Sequence, residues 1–156
     1  MEYHPPTRAF DTLVCAIHAD HEPGTADVAR RIHALNPATT GLYIFKSPGH
    51  IPSTEFHEPV FDLAVLAYRT VVSIHGTLNT SQTAFVGGLD RSAVATLRKV
   101  LGSPLPPPPG LCGCNHENIA NRGRSRRGVQ LELPYTITAH APARTWIAST
   151  VATLLR

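Results

Sequence analysis

The sequence has no long hydrophobic run and few cysteines, and each of these shortages excludes a class of protein. No uncharged apolar stretch is long enough to cross a bilayer, so we expect no transmembrane helix and no membrane partner. Residues 1–10 lack the charged-then-apolar order of a signal peptide, which favours a cytoplasmic protein. Three cysteines are an odd number and too few for a disulfide framework.

The chain does contain enough apolar material for a core, and it is rich in histidine. Its 156 residues, 42% hydrophobic and 16% charged, predict a single folded domain over residues 1–156 rather than a disordered tail. Nine histidines stand against one tryptophan and one methionine. Because imidazole binds metals and exchanges protons near neutral pH, this composition indicates metal or acid–base chemistry.

Charge is distributed unevenly along the chain. Residues 1–90 carry five Lys or Arg against nine Asp or Glu, whereas residues 91–156 carry nine against two, and the net charge is +3. Four of the basic residues form a cluster at Arg122, Arg124, Arg126 and Arg127. Such a cluster is typical of a surface that binds nucleic acid or another polyanion, and it is also typical of a solvated loop.

Short apolar runs alternate with helical patterns, which predicts an α/β fold in which helices flank both faces of a sheet. The predicted strands are residues 12–17, 42–45, 70–74, 84–86 and 129–133. The predicted helices are residues 26–35, 61–68, 91–101 and 143–155. In such folds, ligands bind beyond the carboxyl ends of the strands. His18, His75 and Glu132 each lie at the end of a predicted strand, so we expect them at one edge of the sheet.

A candidate metal site follows from this placement. His18 and Glu22 lie in one loop between strand and helix, and His75 comes from a different strand. Two imidazoles and a carboxylate suit catalytic zinc, which keeps a fourth position open for water. With nine histidines in the chain, His/Glu proximity can also arise by chance, and His21 is an alternative ligand in place of His18 or Glu22.

Five ordered segments resemble motifs of the poly-gamma-glutamate hydrolase family, some bacterial members of which were labelled phage-related replication proteins. The segments span a motif core of about residues 14–134. They are residues 16–25 (AIHADHEPGT), 53–59 (STEFHEP), 72–76 (VSIHG), 86–90 (VGGLD), and 118–123 (NIANRG) running into 128–133 (GVQLEL). The chain departs from the family pattern between His18 and Glu22, where the loop is shorter and the usual glycines are replaced by Ala, Asp and His.

The resemblance implies a zinc-carboxypeptidase-like α/β fold, with a mixed β-sheet flanked by helices, and hydrolysis of gamma-glutamyl amide bonds. Carried over motif by motif, it makes His18, Glu22 and His75 the ligands of one Zn²⁺ per chain and Glu132 the catalytic carboxylate. It also places Asn121 and Arg122 at the substrate, with the Arg122 charge available to stabilise an oxyanion or to bind a substrate carboxylate. Two further histidines, His50 and His57, flank residues 53–56 (STEF) and are candidates for substrate contact.

The function that these observations favour is zinc-dependent hydrolysis of an amide bond in an anionic, peptide-like or small substrate. Poly-gamma-glutamate, a smaller gamma-glutamyl compound, another N-acyl amino acid and a cell-wall peptide all remain open as substrates. Arg122 lies in a loop rich in Gly and Asn, so we expect it to serve substrate and not stability. One alternative is a degenerate family member that binds metal without hydrolysis. The other is a nucleic-acid-binding module that uses Arg122–Arg127, although no aromatic residue interrupts that cluster.

Overall fold

A computed structural model describes residues 1–78, 83–103 and 107–155. The strands found there are β1 (Glu2–His4), β2 (Thr12–Ala16), β3 (Thr40–Ile44), β4 (Thr70–Thr77), β5 (Phe85–Gly87) and β6 (Val129–Pro134). The helices are α1 (Thr25–Leu35), α2 (Pro59–Val65), α3 (Arg91–Leu101), α4 (Tyr135–Thr138) and α5 (Ala141–Leu154), with 3₁₀ turns at Pro109–Leu111 and Ile119–Asn121.

Within these residues the strands form one six-stranded mixed sheet in the order β1-β3-β2-β4-β6-β5. The four inner strands are parallel to one another, and the edge strands β1 and β5 run antiparallel to their neighbours. The predicted α/β class and mixed sheet are therefore confirmed. Strand β1 was not predicted from the sequence, because Glu2, His4 and Pro5 give it no apolar alternation.

The two faces of the sheet bury two separate apolar clusters. On one face Val14, Ile74 and Leu131 pack with buried residues of α1, α3 and α5. On the other face Tyr43 and Val71 pack with residues of α2 and its flanking loops. Burial on both faces explains why the inner strands are almost continuously apolar in sequence.

Capping side chains set several helix boundaries. Asp90 accepts a hydrogen bond from the Ala93 amide at the start of α3. The next residue after α3 is Gly102, whose left-handed backbone conformation ends the helix. Glu58 accepts a bond from the Phe61 amide, so α2 begins at Pro59 and ends at Val65, earlier at both ends than the predicted helix at 61–68. None of the helices in the described part combines the length and hydrophobicity that a membrane crossing requires.

The parallel arrangement places the carboxyl ends of β2, β4 and β6 at one edge of the sheet. In the β4–β6 register, Ser73 pairs with Gln130 and His75 pairs with Glu132. Because side chains alternate between faces along a strand, these four residues point to the same face, while Ile74 and Leu131 point to the core on the other. This edge positions the site described next.

Candidate metal centre

His18, Glu22 and His75 lie together at this edge and are buried. One potential ligand atom from each lies within 4.8 Å of the other two. His18 Nδ1 is 3.0 Å from Glu22 Oε1, and His75 Nδ1 is 3.5 Å from Glu22 Oε2. Two imidazole nitrogens and a carboxylate that converge in this way could hold a zinc ion.

The short loop between His18 and Glu22 closes as a single helical turn. The backbone amides of His21 and Glu22 both donate to the His18 carbonyl, at 2.9 and 2.8 Å. A spacing of four residues in a helical turn puts His18 and Glu22 on the same side. His21 points elsewhere, and its Nε2 lies 3.0 Å from the Ser47 carbonyl. The turn thus forms without the glycines of the family pattern and still brings His18 and Glu22 together.

Both histidine rings are oriented by partners on their far nitrogens. His18 Nε2 donates to the Ile51 carbonyl at 2.6 Å, since a carbonyl can only accept, and His18 Nδ1 faces Glu22 Oε1 at 3.0 Å. His75 Nε2 lies 2.7 Å from the Ser73 hydroxyl and 3.3 Å from that of Ser53. Partners of this kind fix the ring of a metal-binding histidine and its tautomer.

Glu22 is held as a carboxylate between the two histidines. Burial alone would raise its pKa, but the hydrogen bonds and charges of His18 and His75 outweigh burial and lower the pKa to about 2. The Gly76 amide also donates to Glu22 Oε2 at 2.9 Å. A Cβ at position 76 would lie 3.0 Å from the Glu22 Cβ, so glycine permits this close approach.

Glu132 is a second buried carboxyl at the site, with the opposite perturbation. Burial raises its pKa to about 7, the charge of Glu22 adds to the increase, and His75 opposes it. Gln130 Nε2 donates to Glu132 Oε1 at 2.7 Å. Two nearby carboxyls with pKa values displaced in opposite directions are suited to different roles, one as a ligand and one in proton transfer.

Gln130 and Asn118 support Glu132 and were not singled out from the sequence. Asn118 Nδ2 donates to Gln130 Oε1 at 2.8 Å, and the Asn118 side chain also caps the 3₁₀ turn by accepting from the Ala120 amide. The resulting chain of hydrogen bonds connects that turn to Glu132. The two-residue alternation of the 129–133 strand already placed Gln130 beside Glu132 and could have identified it.

These groups open onto a cavity of about 440 Å³. Besides His18, Glu22, His75 and Glu132, its lining residues include His50, Ser53, Thr54, Leu111, Asn118 and Gln130. None of the described lining residues is a lysine or an arginine. His57, the other candidate for substrate contact, is exposed outside this cavity and lies 3.3 Å from Asp62.

Asn121 and Arg122 are buried, and neither lines the cavity. The Asn121 side chain donates to two backbone carbonyls and accepts from two backbone amides. The Arg122 guanidinium donates to the carbonyls of Thr54, Phe56 and Glu117 at 3.1, 2.6 and 2.9 Å. Contrary to what its Gly- and Asn-rich loop suggested, Arg122 thus supports buried backbone, because the 53–56 segment folds back onto it. Its role at the substrate stays a prediction.

The other arginines of the cluster have a different environment from Arg122. Arg124, Arg126 and Arg127 are exposed. Arg126 and Arg127 line a cavity of about 860 Å³ together with Arg91. That cavity lies beside the start of β6, whereas Glu132 lies toward the end of the same strand. The cluster seen in the sequence is thus not a single surface, and Arg126 and Arg127 line a different cavity from the one at the metal centre.

The sequence profile described as poly-gamma-glutamate hydrolase matches residues 3–140 of the chain. Among curated relatives, the SPbeta prophage-derived protein YoqZ of Bacillus subtilis strain 168 is 31% identical over an alignment of 135 residues, which covers 78% of this chain and 48% of YoqZ. YndL of the same strain is 33% identical over an alignment of 135 residues, which covers 78% of this chain and 52% of YndL. The chain thus spans about half the length of these curated relatives.

Two solved structures share the fold. A bacteriophage poly-gamma-glutamate hydrolase superposes with a TM-score of 0.79 at 22% identity, covering 99% of this chain and 85% of the phage chain. The zinc-free form of YndL superposes with a TM-score of 0.76 at 24% identity, covering 97% of this chain and 89% of YndL. At these identities the likeness establishes the architecture, in agreement with the fold expected from the motifs.

Proposed function

This chain belongs to the poly-gamma-glutamate hydrolase family, and from that premise we propose that it is a zinc-dependent hydrolase of gamma-glutamyl amide bonds. The observation that carries the proposal is the meeting of four groups in one cavity. His18, Glu22 and His75 converge as a ligand set, and Glu132, with a pKa of about 7, lies on the neighbouring strand. A purely structural role does not explain why these four groups line an open cavity.

The donor set fits a catalytic zinc ion. Nδ1 of His18 and Nδ1 of His75 both face the ionised Glu22, at 3.0 and 3.5 Å, so a bound zinc ion would take the place of the protons between these groups. Three protein ligands next to a cavity are typical of a catalytic site, whereas structural zinc sites have four protein ligands. One Zn²⁺ per chain, when bound, would polarise the scissile carbonyl and make a water molecule more acidic.

Glu132 is assigned the proton transfer. Its carboxylate lies beside His75 in the β4–β6 pairing, where it accepts the proton of the attacking water and then delivers that proton to the departing amine. Gln130 Nε2 donates a hydrogen bond to Glu132 Oε1 and so keeps that oxygen in place. Gln130 and Glu132 lie two residues apart on β6, and the pairing of β6 with β4 holds them beside Ser73 and His75.

Arg122 and Asn121 are assigned positioning roles. Arg122 fastens the backbone of Thr54 and Phe56 to the segment that carries Asn118, so it fixes the cavity wall that includes Ser53 and Thr54. Asn121 connects the same segment to Gly128, just before β6. Neither side chain has donors aimed into the cavity, so substrate carboxylates are bound by other groups in this proposal.

Metal analysis combined with a hydrolysis assay tests the proposed function. Purified protein is expected to hold about one zinc per chain and to shorten poly-gamma-glutamate with release of new amines, unless a chelator removes the metal. His75→Ala should lose zinc, whereas Glu132→Gln should keep zinc and lose at least ~100-fold in kcat. A zinc-loaded protein that cleaves no gamma-glutamyl compound would refute hydrolysis and support the degenerate alternative.

A further inference from the structure

Any gamma-glutamyl substrate brings a negative charge close to the reacting carbonyl. Its free α-carboxylate is separated from the scissile carbonyl only by the short carbon chain of the glutamyl group, about 5 Å when extended. A carboxylate in a partly closed cavity needs hydrogen-bond donors. Arg122 cannot supply them, because its guanidinium is already bound to backbone carbonyls. No lysine or arginine is among the described residues that line the cavity.

Among the three histidines in the described lining of the cavity, His50 is the one whose ring has no hydrogen-bond partner. Its ring stacks on that of His18, with centroids 4.2 Å apart and planes inclined by 27°. Its side chain is 62% exposed, and its Nε2 is 3.7 Å from Glu22 Oε1, too far for a hydrogen bond. The rings of His18 and His75, by contrast, are buried and have partners on both nitrogens.

The loop that carries His50 is fixed to the metal centre. The next residue, Ile51, accepts the hydrogen bond from His18 Nε2, and Ser47 before it contacts His21 through its carbonyl. Because Ser47 and Ile51 both contact the turn that contains His18 and Glu22, the loop holds His50 close to the candidate ligands. With its ring centroid 4.2 Å from that of His18, His50 lies beside the metal centre, where the charge of a substrate held at that centre comes close to it.

We propose that His50 donates a hydrogen bond to the α-carboxylate of the gamma-glutamyl group and so selects gamma-glutamyl over uncharged acyl groups. The inference rests on the proposed function and specifies its substrate class further. It assigns to His50, and not to Arg122, the recognition of the charge next to the scissile bond.

A pair of chromogenic substrates tests this assignment. One is gamma-glutamyl-p-nitroanilide, and the other is the same compound with its α-carboxylate converted to a carboxamide. The wild-type protein is expected to prefer the acid by at least ~10-fold in kcat/KM, as expected for a hydrogen bond to a charged group. In His50→Ala this preference should fall toward one, mainly through a higher KM for the acid, and His50→Gln, which keeps a donor, should retain part of it.

A matched control and a metal measurement make the outcomes distinct. His57→Ala removes an exposed histidine outside the cavity, and its preference for the acid should equal that of the wild type. An unchanged preference in His50→Ala overturns the inference while leaving the hydrolase function intact. Loss of zinc from His50→Ala also overturns it, since His50 would then be a metal ligand. A wild-type protein that cleaves neither compound refutes the proposed function, and the inference falls with it.

Discussion

Glu132 is expected to weaken the metal-free fold at neutral pH, and replacing it should reveal by how much. Its pKa is raised from 4.5 to about 7, so between these values the folded protein binds a proton that the unfolded chain has released. Stability is therefore lost as the pH rises through that window, and the loss is complete above the folded pKa. A pKa displacement of this size lowers the free energy of unfolding by about 3 kcal/mol.

Glu132→Gln removes the ionisation and keeps an oxygen that can accept the Gln130 hydrogen bond. After chelation, urea denaturation followed by circular dichroism should therefore show the variant gaining about 3 kcal/mol over the wild type between pH 4.5 and pH 8. For a chain of this size the gain corresponds to an increase in Tm of roughly 6–12 °C.

Glu117→Gln is the matched control, because Glu117 is the other acidic residue after position 91 and is exposed. Its free energy of unfolding should stay within about 0.5 kcal/mol of the wild type at every pH. If the difference between Glu132→Gln and the wild type does not change with pH, the raised pKa is wrong, and the argument for Glu132 as the proton-transfer group loses its basis.

Three further predictions follow from the contacts at the site. Arg122→Ala should lower the free energy of unfolding by about 3 kcal/mol, since it strips donors from buried carbonyls; a Tm equal to that of the wild type would contradict this. Gly76→Ala should displace Glu22 and weaken zinc binding about 10-fold in competition with a chromophoric chelator, and undiminished affinity would argue against Glu22 as a ligand. Gln130→Ala should raise the pKa of Glu132 further, which moves the acidic limb of the kcat/KM profile to higher pH; an unmoved limb would show that the Gln130 contact does not tune the base.

The part of the site that the sequence could predict is the part that follows from strand periodicity. Apolar runs locate β2, β4 and β6, and parallel order brings their carboxyl ends to one edge. His18, His75 and Glu132 follow from that rule alone. The register that pairs His75 with Glu132 is consistent with the alternation of both strands, because a slip by one residue would turn one of the two side chains into the core.

The surroundings of Arg122 and His50 could not be predicted, because they depend on loops that fold back over long sequence distances. A loop rich in Gly and Asn around Arg122 suggested exposure, but its carbonyl partners at Thr54 and Phe56 come from a distant segment. His50 likewise reaches the site because the Ile51 carbonyl binds His18. Backbone carbonyls carry no residue-specific signal, so such contacts leave no pattern in a single sequence.

The strand order also has a kinetic consequence. The three strands that bear the candidate site come from residues 12–16, 70–77 and 129–134, so each pairing closes a long loop before it gains any contact. Folding of this kind is slow, and no partially folded species that lacks β4 can present the full ligand set. Metal binding during refolding would then report when β2, β4 and β6 have paired in register. Metal present from the start would stabilise the paired state without increasing the rate at which it forms.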